Sequence, residues 1–454
     1  MPVPELRPEP ATKTRALLRW PLLEVLLLLF TLTSAWPQLS SSGAGIDYYQ
    51  FWLVGQSRAM QPTSGIYSAE DRKALARLGR EIQRTRGQGS PRLEASVQFR
   101  ETVETFSTPF LYAVVGALSS GDYEADLTRF HVICLLVFLA AILALGKAFG
   151  YPIGSCALFA VLLYFWSTPL GSDIHVGNVN QLQLGATAAW LALRRGSMHP
   201  ISDVLGGLVL GLLVTFKPNL VTLPLLLGCT WVADRRFRTL WIQGACAMLG
   251  AAIAIGIGAG FAGSLGAWTD WLAAIRELGR DSQITVVNGN YAIAQFLIEA
   301  GGPSISVPLT LGMLALAAFS IWRARVPLLA ANSSAGQLHR DRESESVALA
   351  CGITCTTLGL VWLHYWVLLI PVMMHSLRPW LAAAAQEDRP PPPLWVLGLG
   401  SCGFLLALAG PLHTLALGLG REEAPIWGVV GAWLLLGSVF LGSGRPSQAP
   451  NRSR

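Results

Sequence analysis

This chain is short of charge. Only 13% of its 454 residues are Asp, Glu, Lys or Arg and 52% are hydrophobic, whereas a soluble domain carries about 25% charged residues. Such a deficit excludes an ordinary water-soluble globule. Also missing are CxxC pairs and histidine clusters. The cysteines Cys134, Cys156, Cys229, Cys246, Cys351, Cys355 and Cys402 all fall in apolar runs. That placement argues against a disulfide framework or a metal site and for packing as small apolar groups. There is no sizeable soluble segment to hold a nucleotide, and no clear internal repeat. The formal charge of +6 does not imply nucleic acid, because most arginines sit in short loops and at the termini, where they set membrane orientation.

What remains is a series of long apolar stretches between clumps of charge. Runs of about 18 or more apolar residues read as membrane-spanning helices. The first, Leu17–Trp36, follows a tail bearing Arg7, Lys13, Arg15 and Arg19. A cleaved signal peptide ending near Thr33-Ser34-Ala35 is the alternative. Glu24 in this run either pairs with Arg19 or is a functional membrane carboxylate. Further spans are expected at Leu127–Gly146, Ile153–Leu170, Val179–Leu193, Val204–Phe216, Leu220–Ala233, Leu240–Phe261, Ser304–Trp322, Val347–Trp362, His364–Leu377, Leu394–Leu412 and Pro425–Leu441. Pro218 makes the fourth and fifth of these a candidate broken pair. The 46 glycines, Gly256, Gly258 and Gly260 among them, let helices approach closely in lipid.

The expected fold is an all-α polytopic membrane protein, a single domain of about twelve spans. Residues 1–16 form one tail, 37–126 a long first loop, 127–441 the bundle and 442–454 a second tail. With both termini cytoplasmic, the short inner loops hold Lys147, Arg194, Arg195, Arg235, Arg236, Arg238, Arg323, Arg325, Arg340, Arg342, Arg378 and Arg389. The outer loops after the first hold only Lys217, Arg276, Arg280 and Arg421. This bias orients the chain. It places Asp47, Asp173–Gln181, Lys217, the 263–302 loop and His364-Tyr365 on the outer face.

In the first loop, Asp47-Tyr48-Tyr49-Gln50-Phe51-Trp52 sets a carboxylate among rings that favour a headgroup layer. It reads either as a solvated loop acid or as a general base for a lipid-linked substrate. The charged stretch Arg58–Arg100 reads as a solvated loop meeting anionic lipid headgroups, with a surface helix over Ser68–Thr85 capped by Ser68. Thr105–Leu118 is too short to span and reads as an interfacial helix. Asp173, His175, Asn178, Asn180 and Gln181 combine an acid, an imidazole and amides, which suit sugar hydroxyls. Loop capping is the competing reading. Lys217 before Pro218 suits a lipid phosphate, or snorkels to the interface.

The order of these short motifs resembles polytopic glycosyltransferases of the GT-C class, in particular family 87, a group of bacterial polyprenyl-phosphate-mannose-dependent proteins. The matching elements are Ile46-Asp47-Tyr48-Tyr49-Gln50-Phe51-Trp52, Gly65-Ile66-Tyr67, Phe106-Ser107-Thr108-Pro109-Phe110, Gly177-Asn178-Val179-Asn180, Thr215-Phe216-Lys217-Pro218, Asn288-Gly289-Asn290-Tyr291 and His364-Tyr365. Two depart from the family pattern: Ser107-Thr108-Pro109 stands for Tyr-Pro-Pro, and Asn290-Tyr291-Ala292 for Asn-Gln-Ser. The resemblance implies a GT-C-like bundle in a bacterial inner membrane. It implies inverting transfer of a hexose, mannose in the family, from a polyprenyl-phosphate donor to a glycan or glycolipid acceptor at the outer face. Asp47 would be the base. Lys217, with Arg276 and Arg280, would meet the donor phosphate. Tyr48, Gln50, Asp173, His175, Asn178, Asn180, Gln181, Asn290, His364 and Tyr365 would bind sugar or acceptor, or position the base. Nothing in the sequence requires a metal or another cofactor. A transporter or lipid flippase is the rival reading, and a non-catalytic scaffold the third.

Overall fold

The computed structural model describes residues 29, 33, 43–60, 65–85, 90–100, 102–196, 200–278, 285–286, 289–324, 335–385, 393–408 and 424–443. The expected first span and Glu24 therefore lie outside the described residues, save Leu29 and Thr33. All regular elements among the described residues are helical, and one isolated β-bridge joins Asn290 to Trp362. Among the described residues, three helices are long and apolar enough to cross a membrane: Tyr123–Phe149, Phe237–Ala262 and Ser306–Arg323. Shorter apolar helices cover Ile153–Trp166, Pro200–Phe216, Pro218–Ala233, Leu394–Leu408 and Ile426–Gly442. The protein is an all-helical membrane protein.

The first-loop region folds as four helices: α1 (Ile46–Met60), α2 (Ala69–Thr85), α3 (Pro91–Phe99) and α4 (Pro109–Gly116). Ser68 caps α2 as its pattern predicts, its Oγ accepting from Asp71 N while the Asp71 carboxylate accepts from Ser68 N. The expected interfacial helix is different in kind. α4 is buried between α1 and the long helix Phe237–Ala262, with Leu111 and Tyr112 enclosed. Its run of apolar residues serves a core, centred on Tyr48, Trp52, Tyr112 and Tyr123, and not a lipid surface.

The bundle follows as α5 (Tyr123–Phe149), α6 (Ile153–Trp166), α7 (Thr168–Val176), α8 (Asn180–Gly196), α9 (Pro200–Phe216), α10 (Thr222–Ala233), α11 (Phe237–Ala262), α12 (Gly266–Leu278), α13 (Ile293–Glu299), α14 (Ser306–Arg323), α15 (Ala335–Thr357), α16 (Ile370–Ala385), α17 (Leu394–Leu408) and α18 (Ala424–Ser443). The α5 rod is about 40 Å long at 1.5 Å per residue. It starts on an Asp122 cap and ends where Gly150 turns left-handed (φ 84°). The span expected over Ile153–Leu170 breaks at Ser167, which is extended (φ −88°, ψ 106°) and caps α7, with Pro169 just inside. The span expected over Val347–Trp362 stops at Thr357, and a 3-10 segment, Leu363–Leu369, leads into α16. Both breaks fall at the same end of the bundle. There they release backbone and polar side chains that a continuous helix would have kept in the apolar core.

The two ends follow from helix direction. α8 begins with Asn180 and carries Arg194 near its finish, while α15 carries Glu343 near its start and Thr357 at its finish. Arg194 binds Glu343, so α8 and α15 run antiparallel. One end therefore gathers Asp47, Asn178, Lys217 and His364, and the other a group of arginine–carboxylate pairs.

Candidate active site

Asp47 sits in the first turn of α1, where the helix dipole favours a negative charge. The lead-in to this turn is pinned. Tyr123 Oη donates to the carbonyls of Ala44 (2.6 Å) and Gly45 (3.1 Å), and Gly45 N donates to His175 O (3.2 Å). The carboxylate is 16% exposed, enough for a small group to reach it. Its Oδ1 accepts from Arg100 Nη2 (3.2 Å) and Gln50 Nε2 (3.4 Å), and its Oδ2 from Asn178 Nδ2 (2.7 Å).

Asn178 reaches Asp47 because α7 ends on Gly177, which is left-handed (φ 67°). A Cβ there would lie 2.7 Å from Tyr48 Cβ, so both conformation and space call for glycine. The turn is completed by Asn178 N donating to Asp173 O (3.0 Å) and Gly177 N to Ile174 O (3.2 Å). Lys217 follows α9 at the corner made by Pro218. Its Nζ donates to Asn178 Oδ1 (3.1 Å) and Asn180 Oδ1 (2.8 Å), and lies 4.2 Å from the Tyr365 ring centre. Gln183 holds that corner by donating to Lys217 O (3.2 Å) and to Asn219 Oδ1 (2.7 Å). Thr108, in the variant Ser107-Thr108-Pro109 element, caps α4 and donates to Phe216 O (2.9 Å).

One amide thus joins carboxylate and ammonium. A lysine ammonium only donates, so it must face the Asn178 oxygen, and this turns the Asn178 NH2 toward Asp47. The same NH2 lies 3.2 Å from His364 Nε2, which makes Nε2 the acceptor and leaves the ring proton on Nδ1. Burial pulls the His364 imidazole down to about 4, so the ring is neutral at ordinary pH. Its Nε2 is 3.9 Å from Asp47 Oδ2, too far for a hydrogen bond. Behind Lys217, Asn180 donates to Asp173 Oδ1 (2.8 Å) and to His364 O (3.1 Å), and Gln181 donates to Asp173 Oδ2 (3.1 Å). Burial pushes the Asp173 carboxyl up and pulls the Lys217 ammonium down from their ordinary values. Among the described residues, Lys217 has no carboxylate in direct contact. Both acids reach it through asparagine.

Of the residues singled out in the sequence, Asp47, Gln50, Asp173, Asn178, Asn180, Gln181, Lys217, His364 and Tyr365 come together in this network. Others go elsewhere. Tyr48 is fully buried and packs on Phe130 and Tyr123. The His175 side chain is exposed, and its carbonyl is what holds Gly45. Asn290 is spent on backbone, donating to Gly359 O and accepting from Val361 N and Ala292 N. Arg276 is exposed on α12, and Arg280 and Asn288 lie outside the described residues. No group of three or more His, Cys, Asp or Glu among the described residues could hold a metal ion. Arg100, Gln183 and Asn219 were not anticipated. Arg100 looks in sequence like any other arginine of the 58–100 stretch, and only its position ending α3 sets it against Asp47.

Residues 107–339 match the model of glycosyltransferase family 87, just over half of the 454 residues. The chain belongs to glycosyltransferase family 87. The comparison with curated proteins and that with solved structures each gave no match. The stretch that matches family 87 contains Asp173, Asn178, Asn180 and Lys217. Asp47 and Arg100 precede it, and His364 follows it. As a family 87 glycosyltransferase, the protein acts on a sugar donor and an acceptor. The folded chain brings parts from outside the matched stretch onto the same network.

Proposed function

We propose that this protein is an inverting hexosyltransferase that moves a sugar, mannose by resemblance to its family, from a polyprenyl-phosphate donor to a glycan or glycolipid acceptor at the outer face of a bacterial inner membrane. The observation that carries the reading is the Asn178 amide linking the Asp47 carboxylate to the Lys217 ammonium. Displacement at an anomeric carbon needs a base on one side and charge stabilisation on the other. The acceptor oxygen forms its bond to the anomeric carbon while its proton passes to Asp47. The bond from that carbon to the phosphate oxygen breaks, and the electron pair leaves with the polyprenyl phosphate. Lys217, held by two amide oxygens, meets the growing negative charge. Neutral His364 accepts from the Asn178 amide and so helps hold that amide against Asp47.

The orientation is supported by the opposite end of the bundle, where Arg194, Arg195, Arg236, Arg342 and Arg378 gather. An excess of arginine marks a cytoplasmic side, so the Asp47 end faces outward. The test is transfer of label from radiolabelled polyprenyl-phosphate mannose in membranes carrying the wild type or Asp47→Asn. Transfer that needs Asp47 supports the reading; equal transfer by both forms, at equal protein level, overturns it.

A further inference from the structure

Helix α2 carries a second feature that the proposed chemistry does not use. Lys73, Arg77, Arg80 and Arg84 recur at intervals of four, three and four residues, which places them on one helical face. All four are exposed. The other face, with Leu75, Ala76, Gly79 and Ile82, packs inward, and Gly79 is pressed so closely on the Tyr49 hydroxyl that a Cβ would overlap it. The basic face therefore points away from the protein body. Lys73, Arg77 and Arg80 form no ion pair among the described residues.

The level of this face relative to lipid is set by its neighbour α12. The membrane helix α11 ends at Ala262, Gly263 turns left-handed, and α12 starts at Gly266. Leu265, Leu272 and Ile275 are exposed along one side of this segment, at 68%, 46% and 37%. On the inward side Ala267 and Ala274 are buried. Trp268 Nε1 donates back to Ile255 O in α11 (3.2 Å). A helix with an exposed apolar stripe and a tryptophan folded back along the span lies in the headgroup layer. α2 is tied to it: Arg72 binds Glu277 of α12 (3.3 Å) and stacks over Phe106, whose carbonyl accepts from Trp271 Nε1 (2.9 Å).

We infer that α2 is a docking surface for anionic phospholipid headgroups, held at the membrane surface by α12. The chemistry is charge complementarity: each Lys or Arg close to an anionic leaflet adds an attraction that salt screens. The inference does not depend on sugar transfer, and neither does its test. Hydrogen exchange of residues 69–85 is measured in the full chain, in nanodiscs of phosphatidylcholine alone or mixed with phosphatidylglycerol. The expected result is slower exchange across α2 with phosphatidylglycerol at low salt, lost at high salt. Exchange that is the same in both lipids at low salt overturns the inference, whatever the variants do. Native mass spectrometry in detergent gives the second reading. Lys73→Gln/Arg77→Gln/Arg80→Gln is expected to lower the ratio of retained phosphatidylglycerol to phosphatidylcholine by about a hundredfold. An unchanged ratio in a folded variant overturns it. So does slowing of α2 exchange by a soluble acidic oligosaccharide when phosphatidylglycerol causes none, which would assign the face to a glycan.

Discussion

The two ends of the bundle hold their buried cations differently. At the end away from Asp47, Glu343, Asp203, Asp234 and Asp341 meet bases directly. Glu343 accepts from Arg194, Arg236 and Trp231, Asp203 pairs with Arg194, Asp234 with Arg342 and His339, and Asp341 with Arg195 and Arg378. These contacts tie α8, α9, α10, α11, α15 and α16 together. At the Asp47 end, Asp47 pairs directly with Arg100, but the lysine is held through amides: Lys217 touches Asn178 and Asn180, and these in turn touch Asp47 and Asp173. Saturated pairs make a clamp. An ammonium held by neutral amides keeps its charge available to a ligand, which is what a leaving phosphate would need.

That contrast can be broken from either side. The largest effect is expected from Asp47→Asn, which should lower transfer by about 10²–10⁴-fold and leave thermal unfolding in detergent unchanged. Glu343→Gln should do the reverse. Removing one partner of a buried ion pair costs about 3–5 kcal/mol, so unfolding temperature should fall sharply while transfer by the folded fraction persists. If Glu343→Gln instead abolished transfer at unchanged stability, the clamp and the site would not be separate. Lys217→Met should lower transfer by about 10²–10³-fold, and Lys217→Arg should recover part of it.

The pH profile sharpens the same point. Because enclosure lowers the Lys217 ammonium from its ordinary value, its charge is present below that lowered value and lost as pH rises through it. Transfer should therefore fall at a lower alkaline pH than a free lysine would give. In Lys217→Arg, which stays charged, this limb should move upward. An alkaline limb unmoved by the arginine would assign it to another group. The smallest effect is expected for Arg100→Gln, which removes one charged hydrogen bond to Asp47 worth about 1.5–3 kcal/mol. Transfer should drop about 10- to 100-fold, again measured with labelled donor.

Much of this comparison was legible in the chain before folding. The arginine-rich loops and the amide-rich segments divided the two ends, because charge avoids lipid wherever it stands in sequence. Asp47, Asn178 and Lys217 stood out as polar groups beside apolar runs. Other parts were hidden. Tyr48 neighbours Asp47 in sequence, yet faces the core, since successive residues of a helix point in different directions. Ser167 interrupts a stretch that reads as one apolar span, because its extended backbone, side-chain cap and following Pro169 outweigh the hydrophobic pattern there.

Composition and periodicity by themselves determined that this is a helical membrane protein with polar chemistry concentrated at helix ends. Those properties follow from the cost of burying charge in lipid, which each local segment meets on its own. Tertiary structure alone decided that Arg100 ends α3 against Asp47, and that Asn290 is consumed by backbone. It also decided that a single amide spans from the Asp47 carboxylate to the Lys217 ammonium. Hydrogen bonds act over about 3 Å, whereas Asp47, Asn178, Lys217 and His364 are scattered along the chain, and only packing brings them within that reach.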